Sequence, residues 1–305
     1  CSICRNRTIP NNKLYGEKMK KALSYDDVLL IPQYSDIESR NEIIIGSDLD
    51  ECVHLELPII ASPMDTITES DMAAAMSKNK ALAIIHRYCT IHEQSMMVEE
   101  AIENVGTVGY IGAAVGVKGD FKERVDELIN AGAEIICIDV AHGHHVLMEK
   151  ALKTLKDKHG SSIHLMAGNV ATAEGYIALD EWGADSVRCN IGGGSVCTTR
   201  IQTGHGIPGF QTILDCVVAD KEAKIIADGG IRNSGDIVKA LAAGANFVMC
   251  GSLLAGTNET PGVVHVESGV KYKTYRGMAS KEAQGAWRGT PAYSEGVSTK
   301  VPYRG

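Results

Sequence analysis

Positive charge is in short supply in this chain, and so are large aromatic side chains. The 305 residues carry 30 Lys and Arg against 38 Asp and Glu, a net charge of −8. That balance counts against a general nucleic-acid or membrane-surface binder, since both need a basic face. It leaves room for a single phosphate in a local pocket. Three Phe and two Trp leave the core to aliphatic side chains. No apolar run reaches membrane-spanning length, and the N-terminus lacks a signal-peptide pattern. No Gly-x-Gly-x-x-Gly opens the first strand–helix unit, which counts against a doubly wound dinucleotide fold. Cys1-Ser-Ile-Cys4 has Cys-x-x-Cys spacing but no second pair to complete a zinc site. The nine cysteines are scattered and odd in number. That usage reads as reduced thiols and a cytoplasmic location.

What the chain does have is repetition of short β-branched runs. Strands are predicted at Leu57–Ala61, Leu82–His86, Tyr110–Val115, Ile135–Val140, His164–Ala167, Ser186–Asn190, Lys224–Ala227 and Phe247–Cys250. Between them, Phe121–Asn130, His144–Lys156 and Ser234–Ala243 carry apolar residues at helical spacing, the last with Ser234 as a candidate N-cap. Gly132, Gly183 and Gly244 follow helical stretches as C-caps do. Eight strands alternating with helices imply an α/β fold, a parallel (β/α)8 TIM barrel. One catalytic domain then covers 1–305, with an N-terminal extension at 1–20 and a C-terminal flap and tail at 270–305. The alternative is an open doubly wound sheet.

The predicted strand ends carry nearly all the polar and glycine clusters, on the rim where such barrels do chemistry. The sixth ends in Ile191-Gly-Gly-Gly-Ser-Val-Cys-Thr-Thr-Arg200. A cysteine in a glycine turn, near backbone donors and a helix start, has the setting of a nucleophile, and Thr199 adds a hydroxyl two residues on. Asp228-Gly229-Gly230 and Gly251-Ser252 follow the seventh and eighth strands, the usual barrel phosphate site, with Ser195 as a further hydroxyl. Asp228 is then free for sugar hydroxyls, because a carboxylate beside phosphate would repel it. Asp139-Val-Ala-His-Gly143, across the ring, offers a carboxylate and a histidine for a second substrate or acid–base work. The tract His142, His144, His145 lacks ligand spacing for a metal.

Together these segments resemble the IMP dehydrogenase/GMP reductase family, from Leu23-Ser-Tyr-Asp-Asp-Val-Leu-Leu-Ile-Pro32 to Val301-Pro-Tyr-Arg-Gly305. The markers are Ser62-Pro-Met-Asp65, Ala114-Val-Gly116, Asp139 to Gly143, Ala167-Gly-Asn-Val-Ala-Thr172, the cysteine turn, Ile226 to Ile231 and Tyr275-Arg-Gly-Met278. The resemblance implies an enzyme acting at purine C2 of a nucleoside monophosphate, GMP or IMP, with Cys197 bonding to C2. It assigns Ser62, Ser195, Asp228, Gly229, Gly230, Gly251, Ser252, Tyr275, Gly277 and Met278 to the nucleotide. It assigns Asp139, Ala141, His142, Gly143, Gly168 and Asn169 to a nicotinamide cofactor, NADPH with NADH or NAD as alternatives. It also implies a monovalent cation, K+, at Gly192, Gly194 and Cys197, and a homotetramer.

Two reactions share that covalent bond: oxidation of IMP with NAD, and reductive deamination of GMP with NADPH. Three features favour the reductase. No CBS pair interrupts the passage from the second strand to the third. No Arg-Tyr dipeptide, the dehydrogenase's water-activating pair, occurs between Met278 and Glu295. Ser294-Glu295-Gly296 resembles the reductase segment whose glutamate works with the hydroxyl equivalent to Thr199 to protonate departing ammonia. Gly193 stands where proline is usual, Pro208-Gly209-Phe210-Gln211 departs from the usual Pro-Gln, and Ala279 replaces a common serine. Glu295-Gly-Val and the closing Val-Pro-Tyr-Arg-Gly are also dehydrogenase-like. A nucleotide-binding pseudoenzyme is the remaining alternative, and binding alone needs none of Cys197, Thr199 and Glu295.

Overall fold

The eight apolar runs become the eight parallel strands of a closed barrel. This computed structural model describes residues 21–106, 109–290 and 293–305, so the 1–20 extension with its Cys1–Cys4 pair lies outside the described residues. A short antiparallel ladder comes first, β1 (Ser47–Asp48) with β2 (His54–Leu55). The barrel strands are β3 (Ile59–Ala61), β4 (Leu82–Ile85), β5 (Gly112–Val115), β6 (Ile135–Asp139), β7 (His164–Val170), β8 (Ser186–Cys189), β9 (Lys224–Asp228) and β10 (Phe247–Cys250). Each pairs in parallel with its chain neighbour, and β10 closes on β3 with Val248 opposite Ile59 and Cys250 opposite Ala61. All eight strands predicted from the sequence are present, with ends shifted by up to three residues.

The crossovers are α1 (Ser70–Lys78), α2 (Ile91–Val105), α3 (Phe121–Asn130), α4 (Val146–His159), α5 (Ala173–Glu181), α7 (Gly209–Val217) and α8 (Ser234–Ala242), with a five-residue α6 (Thr199–Thr203) in the sixth loop. Local chemistry sets their ends. The Nδ1 atom of His145 accepts from Leu147 N (3.1 Å), so α4 starts two residues later than its apolar pattern suggests. Asn233, not Ser234, caps α8: its Oδ1 accepts from Asp236 N at 3.0 Å, and Ser234 is already helical. Gly132, Gly183 and Gly244 take positive φ of 101°, 100° and 107°, the left-handed turn that stops a helix at low cost in a residue without Cβ. Among the described residues no helix is long and apolar enough to cross a membrane.

Pleating divides the core in two. Ile136, Ile138, Leu165, Ala167, Val187, Ile225, Ala227 and Val248 pack outward against the helices. Ile60, Leu82, Ile84, Ala114, Ile135, Cys137, Met166, Ile226, Phe247 and Met249 fill the barrel, and Leu49, Val53 and Leu55 of the β1–β2 hairpin join them. Each such side chain contributes roughly 1.5–3 kcal/mol when fully buried. Within the barrel the ring of His164 lies between Asp50 Oδ2 (2.7 Å) and Ser186 Oγ (2.8 Å), which ties the hairpin to β7 and β8.

Beyond β10 the chain forms a second, antiparallel sheet of β11 (His265–Glu267), β12 (Val270–Arg276) and β13 (Ser298–Pro302), with α9 (Lys281–Arg288) between the last two strands. It includes the expected 270–305 segment and begins five residues before it, and it rests on the C-terminal ends of the barrel strands, with Arg276 N donating to Thr66 Oγ1 at 3.2 Å.

Candidate active site

The cysteine turn starts at Asn190, whose φ of +130° is rare for a residue with a side chain. Its Nδ2 donates to the carbonyls of Asp228 (2.9 Å) and Gly229 (3.3 Å), stitching the sixth-strand turn to the seventh. The two turns touch through their backbones: a Cβ on Gly229 would lie 3.1 Å from Gly194 N. A Cβ on Gly193 would lie 2.0 Å from Asn190 Nδ2. The departure from proline at 193 thus has a physical reason, because the Asn190 side chain fills that space.

Glu295 reaches this turn by backbone pairing. Thr198 N donates to Glu295 O (2.8 Å) and Val297 N to Val196 O (3.0 Å), so the segment before β13 runs beside the cysteine turn. Side chains complete the contact. The Cys197 thiol donates to Thr199 Oγ1 at 3.2 Å, and the Thr199 hydroxyl donates to Glu295 Oε2 at 2.9 Å. The arrangement is a directed proton path from sulfur to carboxylate, built from residues up to 98 positions apart in the chain.

The turns after β9 and β10 are equally compact. Gly229 and Gly230 take φ of 81° and 79°. A Cβ on Gly251 would come within 2.9 Å of the Tyr275 hydroxyl, and Ser195 Oγ donates to that hydroxyl at 3.4 Å. Burial pushes the Tyr275 pKa up, so the phenol stays a neutral donor. Met278 is held by its sulfur, which accepts from Asp65 N at 3.2 Å, while Arg276 Nη2 grips Asp65 Oδ2 at 2.6 Å.

At the centre stands Arg188, which the strand pattern concealed. From β8 it points into the barrel, with Nη1 on Asp139 Oδ1 (2.6 Å) and Nη2 and Nε on Asp228 Oδ2 (2.8 and 3.1 Å). Asn169 Nδ2 also donates to Asp228 Oδ2 at 2.7 Å. Oδ2 of Asp228 is therefore committed to Arg188 and Asn169, so the carboxylate is not wholly free as the sequence suggested. Burial pushes the Asp139 pKa up, but Arg188 and then Arg87 outweigh it and hold the carboxyl below its ordinary range. Burial likewise opposes the charge on Arg188, and Asp228 overrides it to keep the guanidinium protonated. Parity was the signal available in the sequence. Asp139 and Arg188 fall on inward-facing positions of the fourth- and sixth-strand runs, and Asp228 continues the inward-facing row of the seventh, two residues after Ile226.

These groups line one cavity of about 360 Å³, within the range of small-ligand sites. Cys197, Thr199, Glu295, Ser62, Ser195, Asp228, Gly229, Gly230, Gly251, Ser252, Tyr275, Gly277 and Met278 all bound it, as do Asp139, Ala141 and Asn169. Arg87, Tyr88 and Asn190 join them without having been foreseen. His142, Gly143 and Gly168 do not bound it. Gly143 and Gly168 serve close packing: a Cβ on Gly168 would lie 2.6 Å from the Arg188 Cβ, and one on Gly143 would lie 3.1 Å from Asn169 O. His142 is exposed on the rim, its pKa lowered by partial desolvation and by His144, His145 and His205.

Two implied groups can be tested against these residues. A nicotinamide cofactor fits the Asp139 side, where Arg87 Nε is buried without a hydrogen-bond partner, 3.5 Å from Asp139 Oδ2. For the monovalent cation expected at Gly192, Gly194 and Cys197, the Gly194 carbonyl already accepts one hydrogen bond, from Cys197 N (3.1 Å), and three backbone carbonyls are fewer than a hard cation's full set of oxygen ligands. Among the described residues no group of three or more His, Cys, Asp or Glu is placed to hold a metal.

Comparison with known proteins agrees with this geometry. The family model for the IMP dehydrogenase / GMP reductase domain matches residues 22–305. An inosine-5'-monophosphate dehydrogenase of Cryptosporidium parvum is 36% identical, covering 93% of this chain and 83% of that protein. One from Nitrosopumilus maritimus is 32% identical, covering 94% and 89%. Its alignment runs over 425 positions, so that relative carries more than a hundred with no counterpart in these 305 residues. A GMP reductase of Leishmania major is 30% identical, covering 86% of this chain and 80% of that protein.

Proposed function

The chain belongs to the IMP dehydrogenase / GMP reductase family, and from that premise we propose that it reduces GMP to IMP and ammonia with NADPH, through a covalent bond between Cys197 and purine C2. The observation that carries this reading is the Cys197–Thr199–Glu295 chain, with links of 3.2 and 2.9 Å.

An amine leaves only after it takes a proton. The thiol proton passes through the Thr199 hydroxyl to Glu295 as sulfur bonds to C2. The C2–N bond then breaks, and Glu295 returns a proton through Thr199 to the departing ammonia. When bound, NADPH supplies the hydride that C2 accepts. The S–C2 bond then breaks with its electron pair on sulfur, restoring the thiolate and freeing IMP. Around this centre Ser195, Tyr275 and the turns at Gly229–Gly230 and Gly251–Ser252 hold the phosphate, Asp228 the ribose and Met278 the base. Asp139 and Arg87 hold the cofactor's side, and Arg188 fixes both carboxylates.

The second reading is IMP oxidation with NAD, favoured by the dehydrogenase names among the relatives. It uses the same cysteine but must activate water, and the Arg-Tyr pair that the family's dehydrogenases use for this is absent between Met278 and Glu295. Incubation with GMP and oxidised cofactor tests the proposal. The expected result is ammonia and a nucleotide adduct at Cys197, read by intact-mass spectrometry. An adduct formed with IMP and NAD but never with GMP would reverse the assignment.

A further inference from the structure

Helix α9 joins two ends of the cavity that the chemistry treats separately. At its C-terminal end Trp287 stacks on Tyr88, with ring centroids 4.4 Å apart and planes within 16° of parallel. Tyr88 lines the cavity beside Arg87, the partner of Asp139. Its backbone N–H is fixed on His86 Nδ1 at 3.1 Å. At the other end, Gln284 Nε2 donates to the carbonyls of Ala279 (3.1 Å) and Tyr293 (2.8 Å). The Ala279 carbonyl also accepts from Glu295 N at 3.0 Å. Ser280 Oγ caps the helix on Ala283 N (3.2 Å), and Ala283 and Gln284 are both buried. Eight helical residues span roughly 12 Å, so one short rigid element touches the rim at Tyr88 and the backbone of Glu295.

We propose that Trp287 is a positioning residue: its stack on Tyr88 fastens α9, so that a dinucleotide at the Asp139–Arg87 end of the cavity sets the Glu295 carboxylate on Thr199. The proposal rests on the reading that places the cofactor beside Asp139. Trp287 acts through Gln284 and Ala279, so a dinucleotide resting on Tyr88 steadies the alignment of Glu295 on Thr199, whose link is 2.9 Å.

A double-mutant cycle tests it. An aromatic pair of this geometry corresponds to roughly a two- to tenfold effect. Trp287→Ala is expected to lower kcat for GMP by that factor without moving the KM for GMP, and Trp287→Phe to restore most of it. In a Glu295→Gln background, Trp287→Ala is expected to add less than about twofold. Full additivity, or a Trp287→Phe variant as impaired as Trp287→Ala, overturns the proposal. A second arm does not depend on which reaction is catalysed. Trp182→Phe leaves Trp287 as the only tryptophan. Oxidised NADP should shift its emission, and Tyr88→Ala should abolish the shift. Unchanged emission while equilibrium dialysis shows the dinucleotide bound also overturns it. Turnover of IMP with NAD in place of GMP would remove the reductase reading while the fluorescence arm still decides the coupling.

Discussion

Replacing Arg188 with methionine removes one side chain and leaves two carboxylates inside the barrel without their main partner. Arg188 is only 7% exposed, and its three N–H contacts to Asp139 and Asp228 run from 2.6 to 3.1 Å. Deleting one partner of a buried ion pair costs about 3–5 kcal/mol, because the remaining charge is buried uncompensated. Asp139 keeps the weaker contact to Arg87 and Asp228 keeps Asn169, which places the expected loss at the lower end, about 3 kcal/mol. For a chain of this size that is a fall in Tm of roughly 6 °C at pH 7. The pH dependence has a definite sign. In the parent, the Asp139 pKa lies below its unfolded value, so its contribution to stability is present above the ordinary carboxylate pKa and is lost as pH falls through the lowered one. In Arg188→Met, burial is opposed only by Arg87, and the pKa moves up. The Tm gap between the two proteins should therefore be widest near neutrality and should narrow as pH falls, first as Asp139 of the variant takes a proton and then as Asp139 of the parent does. Calorimetric scans at pH 7 and pH 4 check it. A gap under 2 °C at pH 7, or one that widens toward acid, would refute the reasoning.

Other perturbations probe the rest of the site. Cys197→Ala should abolish turnover yet leave GMP affinity within about threefold by calorimetric titration, since the phosphate and ribose contacts remain. Glu295→Gln and Thr199→Val should each cut ammonia release by about 10²-fold or more, the usual scale of a lost general acid, as read by a coupled ammonia assay. Gly193→Ala should disrupt the cysteine turn and lower kcat in a steady-state assay, because the new Cβ would lie 2.0 Å from Asn190 Nδ2. Asp50, bonded to His164, has its pKa lowered to about 2. The hairpin's contribution should persist above about pH 4 and be lost as pH falls through about 2, so Asp50→Asn should unfold at a lower temperature than the parent at neutral pH, by a gap that closes toward pH 2.

The barrel was legible in the sequence because its strands are local. Ile135–Asp139 or Phe247–Cys250 announces itself by β-branched or apolar residues, and the rim follows from where those runs stop. The glycine turns and Cys197 were legible for the same reason. What stayed hidden arises only on closure. Arg188 meets Asp139 and Asp228 because β8 pairs with β9 and is separated from β6 only by β7, with all three side chains facing the barrel interior, a neighbourhood no linear window contains. Asn190 carries no motif, yet it holds two turns together and dictates glycine at 193. The Tyr88–Trp287 stack joins residues nearly two hundred positions apart. Glu295 was found through resemblance, and only the backbone pairing beside Val196–Thr198 explains why it reaches Thr199.

The central claim is that the Cys197–Thr199–Glu295 path serves departure of an amine. The most direct test follows cofactor absorbance and ammonia together in the unmodified protein. With GMP and NADPH, the account predicts one ammonia released for each NADPH oxidised, and no turnover with IMP and NAD. Turnover with IMP and NAD alone, without ammonia chemistry, would contradict it.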